Sequence, residues 1–213
     1  MNVQKVISLN SYTKNIFILR TEKPLKNIRA GQCFNVGIPG MGINREYSMC
    51  SSSDDPYLEF LIRVVQGGRV SERLSNLSAG DDVEIDGPYG EFCIDNRDLN
   101  EHFLFIASGT GIAPFISFVK SYPQINYKII HGVRHATEVF PEFKSSSYYV
   151  PCISDTNHNP TSSMRVTDYL NKFPPGNDKT FFLCGNRNMI VDSVEILLDQ
   201  GVNGDRIYSE AFF

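Results

Sequence analysis

Leu104-Phe105-Ile106-Ala107-Ser108-Gly109-Thr110-Gly111-Ile112-Ala113-Pro114 joins an apolar run to two glycines and a proline. A short run that is apolar throughout, and does not alternate, predicts a parallel strand buried on both faces. The glycines permit a tight turn with close backbone approach, and a proline in a first helical turn marks a helix start. Strand, glycine turn and helix in that order make a phosphate-binding shape, because a helix N-terminus presents free N–H groups to an anion. The same shape also serves as an ordinary strand-to-helix turn, so the flanking chain has to choose.

Downstream the plan repeats. Apolar runs at 103–107, 127–133, 148–153 and 181–184 alternate with segments of helical character, the pattern of parallel βα units. Ile190, Val194, Leu197 and Leu198 recur at helical spacing, and Gly201 supplies the stop. Upstream the pattern changes. Residues 3–9 and 15–19, β-branched and aromatic, flank a turn-like 10–14 and predict a hairpin. Further short strands are expected at 32–36, 45–49, 58–64 and 82–85, with one short helix over 70–77 beginning beside Gly67-Gly68. Strands at that spacing predict a small antiparallel β-barrel of Greek-key type, followed by an α/β doubly wound parallel sheet. A boundary near Arg97 gives domains of 1–97 and 98–213, packed directly, with no repeat and no low-complexity linker.

Composition excludes several classes. The 213 residues, 41% hydrophobic and 21% charged, contain no apolar run long enough to span a bilayer and no basic-apolar signal at Met1. A cytoplasmic chain with no membrane span and no nucleic-acid partner is the expectation. Five scattered cysteines (Cys33, Cys50, Cys93, Cys152 and Cys184) and no Cys-x-x-Cys pair argue against a disulfide scaffold, a common zinc site or an iron–sulfur cluster. Charge is uneven. Residues 1–50 carry seven cations against Glu22 and Glu46, a local +5 in a chain whose net charge is −4, which can steer an acidic partner.

Three motifs in the first half bear on chemistry. Arg45-Glu46-Tyr47-Ser48 sets a guanidinium fork and an aromatic ring on the same side of a strand, followed by a hydroxyl: groups suited to a phosphate and a planar heterocycle. Gly67-Gly68-Arg69-Val70-Ser71 leads glycines into a helix start, a place for a pyrophosphate or simply a turn. Gly87-Pro88-Tyr89-Gly90-Glu91-Phe92 is turn-rich and closes the barrel. His102, His131, His135 and His158 sit in no catalytic or metal-binding spacing and read as structural or solvent-exposed.

Taken in order with Gly109–Pro114, Cys184-Gly185-Asn186-Arg187-Asn188-Met189 and the terminal Tyr208-Ser209-Glu210-Ala211-Phe212-Phe213, the set resembles the ferredoxin–NADP⁺ reductase family. The likeness is greatest to the compact bacterial ferredoxin (flavodoxin)–NADP⁺ reductases. The resemblance implies an FAD-binding barrel, an NAD(P)-binding sheet and a flavin held where they join. It puts Arg45 on the flavin phosphates, Tyr47 against the isoalloxazine face and Ser48 near N5. Ile62, Arg63 and Val64 then run along the cofactor, and Gly68, Val70 and Ser71 clamp the pyrophosphate. Thr110 and Gly111 meet the nicotinamide dinucleotide, Cys184 and Gly185 lie by its ring, Glu210 sits near the hydride path, and Phe213 covers the flavin.

The resemblance favours NADPH, because Arg134 and Arg165 stand where relatives bind the 2′-phosphate. Asp155 keeps NADH open, since a carboxylate suits a bare ribose hydroxyl and repels a phosphate. The tail after Met189 is shorter than is common in the family, which implies less protein over the adenine half of FAD. The expected function is FAD-dependent electron transfer between NAD(P)H and a separate carrier, ferredoxin or flavodoxin. The alternatives are an NAD(P)H:flavin reductase with flavin as substrate and a non-catalytic FAD-binding electron-transfer subunit.

Overall fold

The computed structural model describes residues 2–24, 27–95, 99–143, 146–155 and 163–212. The chain forms two compact units, residues 1–94 with 113–123, and residues 95–112 with 124–213. A single cut does not express this partition. The expected boundary at Arg97 lies outside the described residues, and the helix after the Gly-Thr-Gly turn belongs with the first unit.

That first unit is a sheet of β1 (Asn2–Thr13), β2 (Ile16–Glu22), β3 (Cys33–Gly37), β4 (Asn44–Ser48), β5 (Tyr57–Arg63) and β6 (Asp82–Tyr89). Its order is β4-β3-β6-β1-β2-β5, antiparallel at every pairing, and an antiparallel bridge between Met49 and Phe60 joins the outer strands. The sheet therefore closes into a barrel, which removes its free edges. Leu19, Phe34, Val36, Leu58, Phe60 and Ile62 fill the interior, with Phe34 and Phe60 edge to face at 5.8 Å.

The hairpin is tighter than its composition predicts. Asn10, Ser11 and Thr13 pair with Ile18, Phe17 and Ile16, so the turn shrinks to Lys14-Asn15; ladder pairing overrides the turn preference of a polar stretch. The short helix α1 (Ser71–Leu74) is likewise briefer than the expected 70–77.

Helix α2 (Ala113–Ser121) is tied to this unit by a buried charge. Glu59, in β5, accepts two N–H bonds from Arg20 at 3.0 and 2.7 Å, and Lys120 of α2 lies 3.4 Å from its second oxygen. Ser121 adds a bond from the Ser53 N–H at 2.8 Å. Gly31 (φ +90°) marks the close approach beneath α2: a Cβ there would stand 2.0 Å from the Phe92 carbonyl oxygen and 2.5 Å from the Phe118 ring.

The second unit contains β7 (His102–Ser108), β8 (Asn126–Val133), β9 (Tyr149–Ile153), β10 (Thr180–Asn186) and β11 (Ile207–Phe212), all parallel, in the order β11-β10-β7-β8-β9. Leu104, Ile106, Ile130, Phe181 and Leu183 pack against Leu170 of α3 (Val166–Lys172) and against Ile190 and Leu197 of α4 (Arg187–Asp199). Gly201 (φ +85°) follows α4 and donates to the Leu198 carbonyl at 2.9 Å, the expected stop. The fifth strand, β11, was not among the expected apolar runs. Arg206 anchors its start by donating to the Lys179 carbonyl and to Glu101, each at 2.9 Å.

Glu59 is nearly inaccessible, so removing its main partner leaves a buried carboxylate undercompensated. Arg20→Ala is expected to destabilise the barrel by about 1–3 kcal/mol, seen as a lower denaturation midpoint; an unchanged midpoint would show that Lys120 suffices.

Candidate functional site

In the second unit the chain runs from β7 to β8 and β9 on one side and returns to β10 and β11 on the other, so the strand order reverses between β7 and β10. Open parallel sheets bind ligands at the carboxyl ends of the strands where such a reversal occurs. Here two glycines bring backbone onto backbone. A Cβ on Gly111 would lie 2.3 Å from the Cys184 carbonyl oxygen; one on Gly185 (φ +131°) would lie 2.4 Å from Ser108 Oγ and 2.7 Å from the Ser108 carbonyl oxygen. The Asn186 N–H donates to Ser108 Oγ at 2.8 Å, and the Asn186 side chain caps α4 by accepting from the N–H groups of Asn188 and Met189.

Parallel register lines up one rung behind this contact. Glu210, Cys184, Ala107, His131 and Pro151 are successive partners across β11, β10, β7, β8 and β9, and partners in register share a face. Cys184 is wholly buried, while Glu210 and Thr110 are half-buried. The sequence candidates Thr110, Gly111, Cys184, Gly185 and Glu210 thus come together at one strand end. Ser108 and His131 adjoin the same strand end through contacts within the protein; Ser108 sits beside the glycines, and His131, read from sequence as structural or solvent-exposed, is buried in the rung.

The carboxyl ends of β8 and β9 bring together the residues read as setting nicotinamide preference. The Asp155 N–H donates to the Arg134 carbonyl at 2.9 Å, and Met164, next to Arg165, donates to the Ile153 carbonyl at 3.0 Å. Both arginine side chains are exposed. Carboxylates stand beside them: Asp155 lies 2.8 Å from His135 Nδ1, Glu138 accepts from the Arg134 N–H at 3.3 Å, and Asp168 accepts from the Arg165 N–H at 2.9 Å. Phe213 and His158 lie outside the described residues.

In the barrel, Arg45 and Tyr47, two residues apart, share one side of β4, opposite their register partners Val36 and Phe34. Arg45 is exposed and donates to the Asn44 carbonyl at 2.7 Å; Tyr47 packs partly against the core, and burial pushes its phenol up to about 12, with the Arg45 charge pulling the other way. Ser48 is buried. Ile62 and Val70 are core side chains, so only their backbone can meet a ligand, while Arg63 and Val64 are half-buried. The turn into α1 is held by Ser71, whose Oγ accepts from the Val65 N–H at 3.0 Å, and by Glu72, whose carboxylate accepts from the Gly67 N–H at 2.6 Å. A Cβ on Gly68 would meet the Val65 carbonyl oxygen at 2.7 Å. A cation, a half-buried ring and a helix start whose first N–H groups lack helical partners form a donor set that fits a flavin dinucleotide. No cluster able to hold a metal occurs among the described residues, and no helix there is long and apolar enough to cross a membrane.

Residues 1–94 match the family model of the oxidoreductase FAD-binding domain. The chain is 29% identical over 196 residues to the toluate 1,2-dioxygenase electron transfer component of Pseudomonas putida, covering 85% of this chain and 58% of that protein. It is 26% identical to the ferredoxin–NADP reductase of Azotobacter vinelandii, covering 100% of this chain and 98% of that one. In fold it is similar to a ferredoxin–NADP⁺ reductase from Neisseria gonorrhoeae, crystallised with FAD and NADP, with a TM-score of 0.83 at 22% identity over 100% of this chain and 98% of that one. The barrel is thus an FAD-binding oxidoreductase domain. Beyond that domain, the likeness to ferredoxin–NADP reductases runs the length of the chain, and it extends to an electron transfer component of a dioxygenase.

Because the atoms facing Gly111 are backbone, a side chain there has nowhere to go. Gly111→Ala is expected to destabilise the sheet unit by about 1–3 kcal/mol and to weaken nicotinamide binding. Denaturation and NADP⁺ titration would check both, and a variant with wild-type values would mean that the turn yields.

Proposed function

We propose that this chain moves electrons between NAD(P)H and a separate one-electron carrier, ferredoxin or flavodoxin, through FAD held by the barrel. The observation that carries the reading is the glycine-built strand end around Gly111 and Gly185 in a chain whose first 94 residues are an FAD-binding oxidoreductase domain. FAD held there would supply a hydride acceptor and a source of single electrons. The protein's task is to orient and to exclude water. Arg45 would fork onto the phosphates, Tyr47 would stack on the ring system, and Ser48 would present its hydroxyl near the reactive edge. Arg63 and Val64, with the backbone of Ile62, would flank the cofactor, and the turn through Gly68, Val70 and Ser71 would hold the pyrophosphate.

On the sheet, Thr110 and Gly111 would meet the nicotinamide dinucleotide, with Cys184, Gly185 and Glu210 beside the nicotinamide. The carrier supplies the one-electron centre. Three of the seven cations in residues 1–50 are already engaged, Lys5 with Asp82, Arg20 with Glu59 and Arg29 with Glu91, each at 2.7 Å. Local net charge therefore overstates what that segment offers an acidic partner. Five free cysteines suit a reducing compartment, and the proposal places the chain in the cytoplasm.

One observation favours flavin as an exchangeable substrate. The Glu72 carboxylate occupies the Gly67 N–H in the turn assigned to the pyrophosphate, an anion where an anion must bind. Dialysis separates the readings: a prosthetic FAD stays yellow with the protein, a substrate flavin leaves. Anaerobic mixing with NADPH or NADH is expected to bleach the flavin absorbance; a bound flavin that neither reduces would overturn the proposal. Between the two nicotinamides, Asp155→Ser removes a carboxylate beside Arg134 and is expected to shift preference toward NADPH by roughly tenfold, equivalent to about 1.4 kcal/mol. The ratio of the two kcat/KM values measures it, and a constant ratio would exclude Asp155 from the choice.

A further inference from the structure

His131 is 2% exposed, in the rung that holds Cys184 and Glu210. Its Nε2 lies 2.8 Å from the Gly109 carbonyl oxygen and its Nδ1 lies 2.7 Å from Tyr149 Oη. A carbonyl only accepts, so Nε2 carries the proton and donates. In that tautomer Nδ1 accepts, and the Tyr149 hydroxyl donates to it. The same hydroxyl oxygen accepts from the Phe140 N–H at 3.4 Å. Burial pushes the Tyr149 phenol up to about 12, so the donor keeps its proton at neutral pH. The result is a directed chain from the Phe140 amide through Tyr149 and His131 to Gly109. Its end point is the first residue of the turn Gly109–Ile112, held at φ +55°. Its base is firm, because a Cβ on the adjacent Gly132 would stand 2.8 Å from Val166 Cγ2, which leaves β8 little room to shift toward α3.

We propose that His131 is a positioning residue: its Nε2–H bond to Gly109 holds the Gly109–Ile112 turn in the geometry that receives the nicotinamide dinucleotide. The proposal rests on the reading of that turn as the nicotinamide site. A turn with two glycines has more backbone freedom than one without them, and ordering it on binding would subtract from affinity. With His131 in place that ordering is done on folding.

Two substitutions in the full-length, FAD-loaded chain divide the two ring nitrogens. The amide of Gln reaches as far as Nε2, and that of Asn only as far as Nδ1. His131→Gln keeps the bond to Gly109 and gives up Tyr149; His131→Asn does the reverse. His131→Asn is expected to raise the calorimetric Kd for NADP⁺ by about fivefold, to raise KM while leaving kcat at saturation nearly unchanged, and to speed amide exchange in residues 109–112, with FAD affinity unaltered. His131→Gln should stay close to wild type in every one of these. Equal behaviour of the two variants, or wild-type exchange at 109–112 in the Asn variant, would overturn the proposal. Should His131→Asn fail to fold, the Gln variant decides: accelerated exchange at 109–112 with Nε2 replaced in kind would refute the role. If the wild-type chain binds neither NADP⁺ nor NAD⁺ while the Asn variant still loosens 109–112, the anchoring stands and the reading of the turn as a nicotinamide site falls.

Discussion

The turn after β7 rests on the end of β10 largely backbone to backbone, with only the Ser108 hydroxyl at the contact, and the arrangement of the sheet's carboxyl end follows from it. Gly111 faces the Cys184 carbonyl and Gly185 faces Ser108, each so closely that even a methyl group would overlap backbone atoms. Such a contact has no rotamer to relax it, so it seats the Gly111 end of the turn firmly against the strand, while Gly109 at the other end is held by His131. Because β11, β10, β7 and β8 are parallel and in register, fixing one pair places the whole rung of Glu210, Cys184, Ala107 and His131. If the strand end receives the nicotinamide as proposed, it would do so already ordered, with little rearrangement left to the bound state.

The barrel solves a different problem with different means. Its edges are removed by the Met49–Phe60 bridge, and its helix α2 is held by a carboxylate, Glu59, shared between a strand cation and a helix cation. An ion pair of this kind adds little net stability over an apolar contact, yet it makes one docking of the helix much better than its neighbours, since a misplaced Lys120 would weaken the compensation of Glu59. Lys5 and Arg29 are paired too, on the barrel surface rather than within it, and with Arg20 so engaged a segment so basic in composition is less basic as a surface.

Much of this was legible from order and spacing. The apolar run 103–107, the glycines after it, the helical spacing of Ile190, Val194 and Leu197, and the short strands upstream define two architectures without reference to contacts. What escaped depends on partners distant in sequence. β11 mixes Tyr208, Ser209 and Glu210 on a sheet edge, so it lacks the uninterrupted apolar character of a central strand and declares itself only through pairing with β10. The hairpin stretch 10–13 has turn composition and is strand because Ile16, Phe17 and Ile18 lie opposite. His131 sits in an apolar run with no catalytic spacing, and its meaning comes from Gly109 and Tyr149 on two other segments. Membership of α2 in the barrel unit is likewise invisible in chain order, since the residues that hold it are Glu59, Ser53 and Phe92.

The same logic bears on how this chain would discriminate between nicotinamides. Counting charges near Arg134 and Arg165 sets two cations against Asp155, Glu138 and Asp168, which by itself would disfavour a phosphate. Contacts change the weight of each carboxylate. Asp168 accepts the Arg165 N–H and belongs to the start of α3, Glu138 is buried on the Arg134 N–H, and Asp155 is shared with the imidazole of His135. A carboxylate engaged by an imidazole and fixed by its own backbone bond repels an incoming phosphate less than a bare one, whereas both guanidinium groups remain exposed. At the proposed nicotinamide site Asp155 would therefore weigh less against a 2′-phosphate than a bare carboxylate, by an amount that depends on how firmly His135 holds it.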